Sequence, residues 1–365
     1  MDDSAPLEAE IRRRIQASGP MPFCEYMALC LTDPDHGYYT TRDPLGEQGD
    51  FITAPEVSQI FGELIGLWMA AVWKQMGAPE NLRIVELGPG RGTLMSDAMR
   101  TTHVMPGFRE SVVLHLIEIN PFLEAQQERA LEHLGIPMSW HAAFEDVPGG
   151  PSIIIANEFF DALPVNQAVK TAHGWHERQV DIDSVGNLVF SFARDPIPLF
   201  DGLLPAALRG APEQSIFEWR SDTMAMRLGR RIAGQGGAAL VIDYGHAESD
   251  IGDTLQAVGR HAFADPLTAP GLIDLTAHVD FQALARAVES MGTDSHGPID
   301  QSLFLRRLGI ETRAAALKAK ATPAKSAEVD LAVARLIGHG RTAMGALFKA
   351  AAFTHPKLGR PPGFG

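Results

Sequence analysis

The stretch Ile84-Val85-Glu86-Leu87-Gly88-Pro89-Gly90-Arg91-Gly92-Thr93-Leu94 decides the fold. It reads as a buried strand ending in a carboxylate, then a glycine turn, then the opening of a helix. Glycines at alternate positions, Gly88, Gly90 and Gly92, let the backbone pass close beneath a ligand in conformations closed to other residues. Such a turn at the carboxyl end of a parallel strand is a nucleotide-type site. A dinucleotide fingerprint, G-x-G-x-x-G, would require Gly or Ala at position 93, where Thr93 stands. Glu86, two residues before the first glycine, suits a ligand bearing an ammonium or sulfonium rather than a pyrophosphate. An ordinary strand-turn-helix with no ligand is the competing interpretation of this stretch.

Working outward, strand and helix signals alternate, which predicts a doubly wound parallel sheet. The expected strands are Arg83 to Leu87, Val112 to Ile117, Met138 to His141, Ser152 to Ala156 and Ala238 to Ile242. Helices are expected from Thr93 and over Pro121 to Leu134. Between the fourth and fifth strands a meander (Gln167 to Lys170, Trp175 to Asp181, Asn187 to Phe192) should precede a helical run, Pro205 to Ala233. The segment from Asp243 to Leu275 reads as loop. Upstream, Leu7 to Gln16, Phe23 to Leu31 and Val57 to Gly77 read as helices; the last repeats apolar residues at helical spacing, with Trp68 and Trp73 as core. The expected organisation is a helical and loop lid over 1–80, a core over 81–300 with an insertion at about 165–235, and a helical extension over 301–365.

Composition bounds the function. At 365 residues, 45% hydrophobic and 21% charged, the chain has the make-up of a soluble globular protein. A net charge of −14 argues against a nucleic-acid partner, because phosphate binding needs a concentrated basic face. Cys24 and Cys30 offer no zinc spacing and no disulfide framework, which fits reduced thiols in a cytosolic protein. Met1-Asp2-Asp3-Ser4 resembles neither a signal nor a transit peptide. No run approaches the roughly 18 apolar residues of a membrane span. A cytoplasmic, bacterial protein without membrane insertion or a bound metal is expected; its oligomeric state is left open.

The second strand ends at Glu118, well placed to accept both ribose hydroxyls of a nucleoside. The same carboxylate could instead sit at the following helix N-terminus and interact with its dipole. The fourth strand runs into Asn157-Glu158-Phe159-Phe160-Asp161, which sets polar groups beside the bound ligand. Glu158 and Asp161 are the candidate catalytic groups, able to hold a cationic acceptor such as a guanidinium. As structural alternatives, Asn157 could cap the next turn and Asp161 could hold a loop amide. Asp243 and Tyr244, at the end of the fifth strand, face the same crevice. His246, His261 and His278 show no ligand spacing, though one could serve as a general base. Phe51 and Thr53 belong to a loop positioned to close over a cofactor.

Several segments occur together in a fixed order. Gly49-Asp50-Phe51-Ile52-Thr53-Ala54-Pro55-Glu56 precedes the pattern E-x-G-x-G-x-G from Glu86 to Gly92. Asn157 to Val165, Asp243-Tyr244-Gly245 and Asp274-Leu275-Thr276-Ala277-His278 follow. This set resembles the MidA-like family of class I S-adenosylmethionine-dependent methyltransferases. The resemblance implies a Rossmann-like core and S-adenosyl-L-methionine as methyl donor. By position it sets Gly88, Gly90 and Gly92 along the cofactor turn and Glu118 at the ribose; Glu86, Pro89, Thr93, Asn157, Phe51 and Thr53 are the further residues expected to bind the cofactor. It implies a protein substrate, with a respiratory complex I subunit as the acceptor of mitochondrial members. Protein arginine N-methylation is therefore the expected activity. Two alternatives stand beside it: a small-molecule methyltransferase, and an assembly chaperone that binds the cofactor without turnover.

Overall fold

The computed structural model describes residues 5–41, 53–259, 262–340 and 343–365. Its main sheet is built from β1 (Leu82–Leu87), β2 (Val112–Ile117), β3 (Met138–His141), β4 (Ser152–Asn157), β5 (Gly237–His246), β6 (Asp294–Asp300) and β7 (Phe348–Thr354). Their spatial order is β6-β7-β5-β4-β1-β2-β3. Strands β1 to β5 pair in parallel, and β7 runs antiparallel between β5 and β6. The chain leaves β1 toward one edge and returns to build β4 on its other side. That reversal opens a crevice at the carboxyl ends of β1 and β4, where open α/β sheets bind ligands.

Successive residues of a strand feed opposite faces, because side chains alternate across the pleat. Ile84, Leu114, Ile153, Ile155 and Leu240 enter the core under the helices Gln59–Gln75 and Thr93–Thr101. Val85, Leu87, Ile154, Ala156 and Val241 enter the core under Thr223–Gln235 and Phe281–Glu289. Trp68 and Trp73 are buried in the first of these cores, as their helical spacing indicates.

The insertion differs from its expected form. Where Pro205 to Ala233 read as helical, Ile216–Arg220 is a strand and only Thr223–Gln235 is a long helix. Ile216–Arg220 joins Val165–Thr171, Gly174–Ile182, Leu188–Phe192 and Met21–Pro22 in a second, five-stranded sheet. Alternating Phe217 and Trp219 with Glu218 and Arg220 carry a period-two signal too short to stand out within the helical run. The helices Ala5–Ser18 and Phe23–Thr32 pack on this second sheet rather than on the main one. The expected loop between Asp243 and Leu275 contains the strand Gln256–Gly259, which pairs with Asp274–Thr276. The C-terminal region supplies helices and also β7, which pairs on both edges within the main sheet. Its run Phe348-Lys349-Ala350-Ala351-Ala352-Phe353-Thr354 is rich in alanine, a residue depleted in strands, so tertiary pairing overrides propensity there.

Candidate active site

A cleft of about 430 Å³ lies over the carboxyl ends of β1 and β4. The turn after β1 forms its floor. Gly88, Gly90 and Gly92 all adopt positive φ, at 60°, 56° and 80°. Gly92 is the N-cap of the helix Thr93–Thr101 and closes the turn by donating to the Pro89 carbonyl at 2.9 Å. A side chain on Gly88 would stand 3.1 Å from the Phe159 ring. Pro89, Thr93 and Thr53 also line the cleft. Thr93 is tied outward as well, its hydroxyl donating to Glu56 Oε1 at 2.6 Å.

Glu86 is 3% exposed, and its Oε2 has no hydrogen-bond partner. Burial alone pushes its carboxyl up to about 8. An orphaned buried carboxylate oxygen beside a glycine cradle is the environment a cationic ligand would complete. Glu118 holds the turn that follows its own strand. Its Oε1 accepts the Ile119 and Asn120 N–H groups, each at 2.8 Å, while the residue lines the cleft. Burial raises its carboxyl pKa.

Gln127, which the sequence reading did not single out, connects these parts. Fully buried, it donates to the Gly90 carbonyl at 2.7 Å and to Glu118 Oε2 at 2.9 Å, and accepts from Trp140 Nε1 at 2.8 Å. It thereby locks the glycine turn to the carboxylate of the neighbouring strand. A polar residue on the inward face of the helix Pro121–Leu131 was its available signal.

At the mouth of β4, Glu158 has a left-handed φ of 50°, rare for a residue with a side chain. Its Oε1 accepts the Ala54 N–H at 2.9 Å and Asn157 Nδ2 at 3.1 Å. Asn157 thus orients Glu158 rather than capping a turn, and its Oδ1 is buried without a partner. Burial pushes the Glu158 carboxyl up to about 7, with Ala54 opposing. Asp161 is 6% exposed; burial raises its carboxyl pKa, with Tyr244 and Arg220 opposing, and Oδ1 has no partner.

Asp243 explains why this turn keeps its shape. Fully buried, its Oδ2 accepts the N–H groups of Phe159, Phe160 and Asp161 at 3.2, 2.9 and 3.2 Å. It does not line the cleft, whereas Tyr244 does. Burial and the nearby Asp161 and Glu158 raise the Asp243 carboxyl, against the pull of the backbone donors. Arg220 braces the other side, donating to the carbonyls of Asp161, Leu163, Ala277 and His278.

Tyr39, Asp274 and Thr276 complete this end of the cleft, with Tyr39 Oη donating to Asp274 Oδ2 at 3.0 Å. Asp274 stands out in the sequence only as part of a motif. Of the expected site residues, Glu86, Gly88, Pro89, Gly90, Thr93, Glu118, Thr53, Asn157, Glu158 and Asp161 share one cleft. Gly92 stands directly behind it as the helix cap. Phe51 and His261 lie outside the described residues, and His246 and His278 are not among the cleft-lining groups.

The match to known proteins agrees with this geometry. Residues 64–299 match the family described as "Putative S-adenosyl-L-methionine-dependent methyltransferase". The chain is 38% identical over 347 residues to the protein arginine methyltransferase NDUFAF7 homolog, mitochondrial, of Drosophila melanogaster, covering 87% of this chain and 78% of that one. It is 40% identical to the Rattus norvegicus NDUFAF7, covering 87% of this chain and 77% of that one. A crystal structure from Burkholderia thailandensis bound to S-adenosyl-homocysteine superposes with a TM-score of 0.83. It has 28% identity and covers 99% of this chain and 94% of that one.

Proposed function

From the premise that this chain belongs to the S-adenosyl-L-methionine-dependent methyltransferase family, we propose that it methylates an arginine side chain of a protein. The observation that carries the choice of acceptor is Glu158, a carboxylate held by Ala54 and Asn157 inside the cleft at the mouth of β4. The relatives named as protein arginine methyltransferases support it.

The cofactor fits the residues present. Glu86 would meet its cationic end, the turn Gly88–Gly92 would pass beneath it, and Glu118 would take the ribose hydroxyls. When bound, S-adenosyl-L-methionine supplies an electrophilic methyl carbon on a sulfonium sulfur. The protein's own task is alignment and exclusion of water. Glu158, ionised, attracts the guanidinium and points one of its nitrogens at the donor. That nitrogen would receive the methyl group, leaving S-adenosyl-homocysteine, and would shed one proton. Glu158, with its pKa raised to about 7, is placed to accept it near neutral pH. Asp243 keeps the turn that presents Glu158 in shape.

A respiratory complex I subunit is the proposed acceptor class, resting on the resemblance of the ordered motifs. A cytoplasmic setting in a bacterium is proposed on the acidic balance and on the free thiols Cys24 and Cys30. The test is transfer of labelled methyl from the donor to a lysate lacking the protein, followed by hydrolysis and amino-acid analysis. Label in methylarginine is expected, with Glu158→Gln slower by about a hundredfold or more. Label in methyl-lysine or in small molecules alone would overturn the proposal.

A further inference from the structure

Glu158 lines the acceptor end of the cleft, and two further carboxyl groups line the same cleft. Asp161 comes from the turn after β4, and Asp274 from the strand Asp274–Thr276 that flanks the insertion. They are 6% and 3% exposed, yet both line the cleft. Tyr39 Oη fixes Asp274 through Oδ2 at 3.0 Å, and Tyr244 lines the same cleft. Asp161 Oδ1 is buried without a partner. The nearby Arg220 guanidinium directs four hydrogen bonds to backbone carbonyls, so its charge is felt through space rather than by contact.

Two buried carboxyl groups facing one cleft, one with an unfilled oxygen, call for a cationic occupant with several donors. A guanidinium is planar and presents five N–H donors in a fixed fork, so it can satisfy carboxylates on two sides at once. An ammonium is a compact point charge with three donors and no planar fork, so it is less suited to satisfying separate carboxylates at once. We propose that Asp161 and Asp274, the latter held by Tyr39, are the specificity-determining carboxylates that select a guanidinium over an ammonium. This assignment rests on the arginine reading above and extends it from Glu158 to residues on two further elements.

The test uses the full chain saturated with S-adenosyl-homocysteine, titrated with N-ethylguanidinium or with ethylammonium and followed by NMR or calorimetry. Wild type should bind the guanidinium more tightly. Asp274→Asn should weaken that binding by about tenfold to a hundredfold, the scale of one charge-assisted contact, with little change for ethylammonium. Tyr39→Phe, which leaves every carboxylate in place, should reproduce a smaller part of the loss. Unchanged S-adenosyl-homocysteine affinity and melting temperature in both variants show that the fold and cofactor half are intact. Equal binding of the two probes by wild type, or equal guanidinium binding by wild type and Asp274→Asn, would overturn the inference. Failure of the function proposal looks different: the probe preference and its loss in Asp274→Asn persist while no methylarginine forms in lysate.

Discussion

Gly90 shows how much a single position carries. Its φ of 56° favours glycine, its carbonyl is held by Gln127, and it lines the cleft. In Gly90→Val a branched side chain would have to adopt that conformation, at about 1–3 kcal/mol, and would add bulk to the turn that lines the cleft. S-adenosyl-homocysteine affinity by calorimetry should therefore fall by about tenfold or more; unchanged affinity would refute the geometry. Glu158 sets the pH response. Its pKa raised to about 7 means the carboxyl is protonated below that pH and ionised above it. Only the ionised form attracts a guanidinium and accepts its proton. The kcat/KM for a cationic acceptor should accordingly rise through about pH 7 and then level, and Glu158→Gln should flatten that limb in a pH-rate profile.

Between elements, the contact that places the glycine turn is the crossing of Gln59–Gln75 over Thr93–Thr101. The helices approach closely because Gly62 and Gly66 face the second helix. A Cβ on Gly66 would lie 2.2 Å from the Ala98 carbonyl oxygen, and one on Gly62 would lie 2.7 Å from Asp97 Cβ. Gly66→Ala should cost about 1–3 kcal/mol in thermal or chemical denaturation, since the backbone must shift to admit the methyl group. Gly234→Ala is the matched control: it lies in the helix Thr223–Gln235 with open space around it, and should stabilise by up to about 1 kcal/mol. A stable Gly66→Ala protein would show that the crossing is looser than described. The loop side is tied in by two polar contacts, Glu158 to the Ala54 N–H and Thr93 to Glu56, so both halves of the cleft hold the short helix Ala54–Val57.

Across the whole molecule, β7 closes the sheet from the far end of the chain. It pairs with β5 over Ala238 to Tyr244 and with β6 on its other edge. A chain cut after Gly340 would leave β5 with an unpaired apolar edge, a template for aggregation. No soluble folded protein is expected from it by circular dichroism and size exclusion, and a monomeric, cofactor-binding fragment would contradict this. The parallel half of the sheet was legible in the sequence because its strands are continuous apolar runs ending in turn residues. Those run ends also carried the site: Glu86, Glu118 and Asn157–Asp161 occupy strand mouths by position in the chain. The strands Ile216–Arg220 and Phe348–Thr354 were not legible, because the period-two signal of the first is too short within a helical run and the second is rich in alanine, so long-range pairing decides both. The sequence by itself determined the glycine-turn half of the cleft, since a glycine turn and two carboxylates at strand ends are local patterns with local geometry. Only the tertiary structure decided the far end. Tyr39 and Asp274 come from distant segments and join Asp161 and Tyr244, already expected at strand ends, through burial in one cleft that no spacing along the chain encodes.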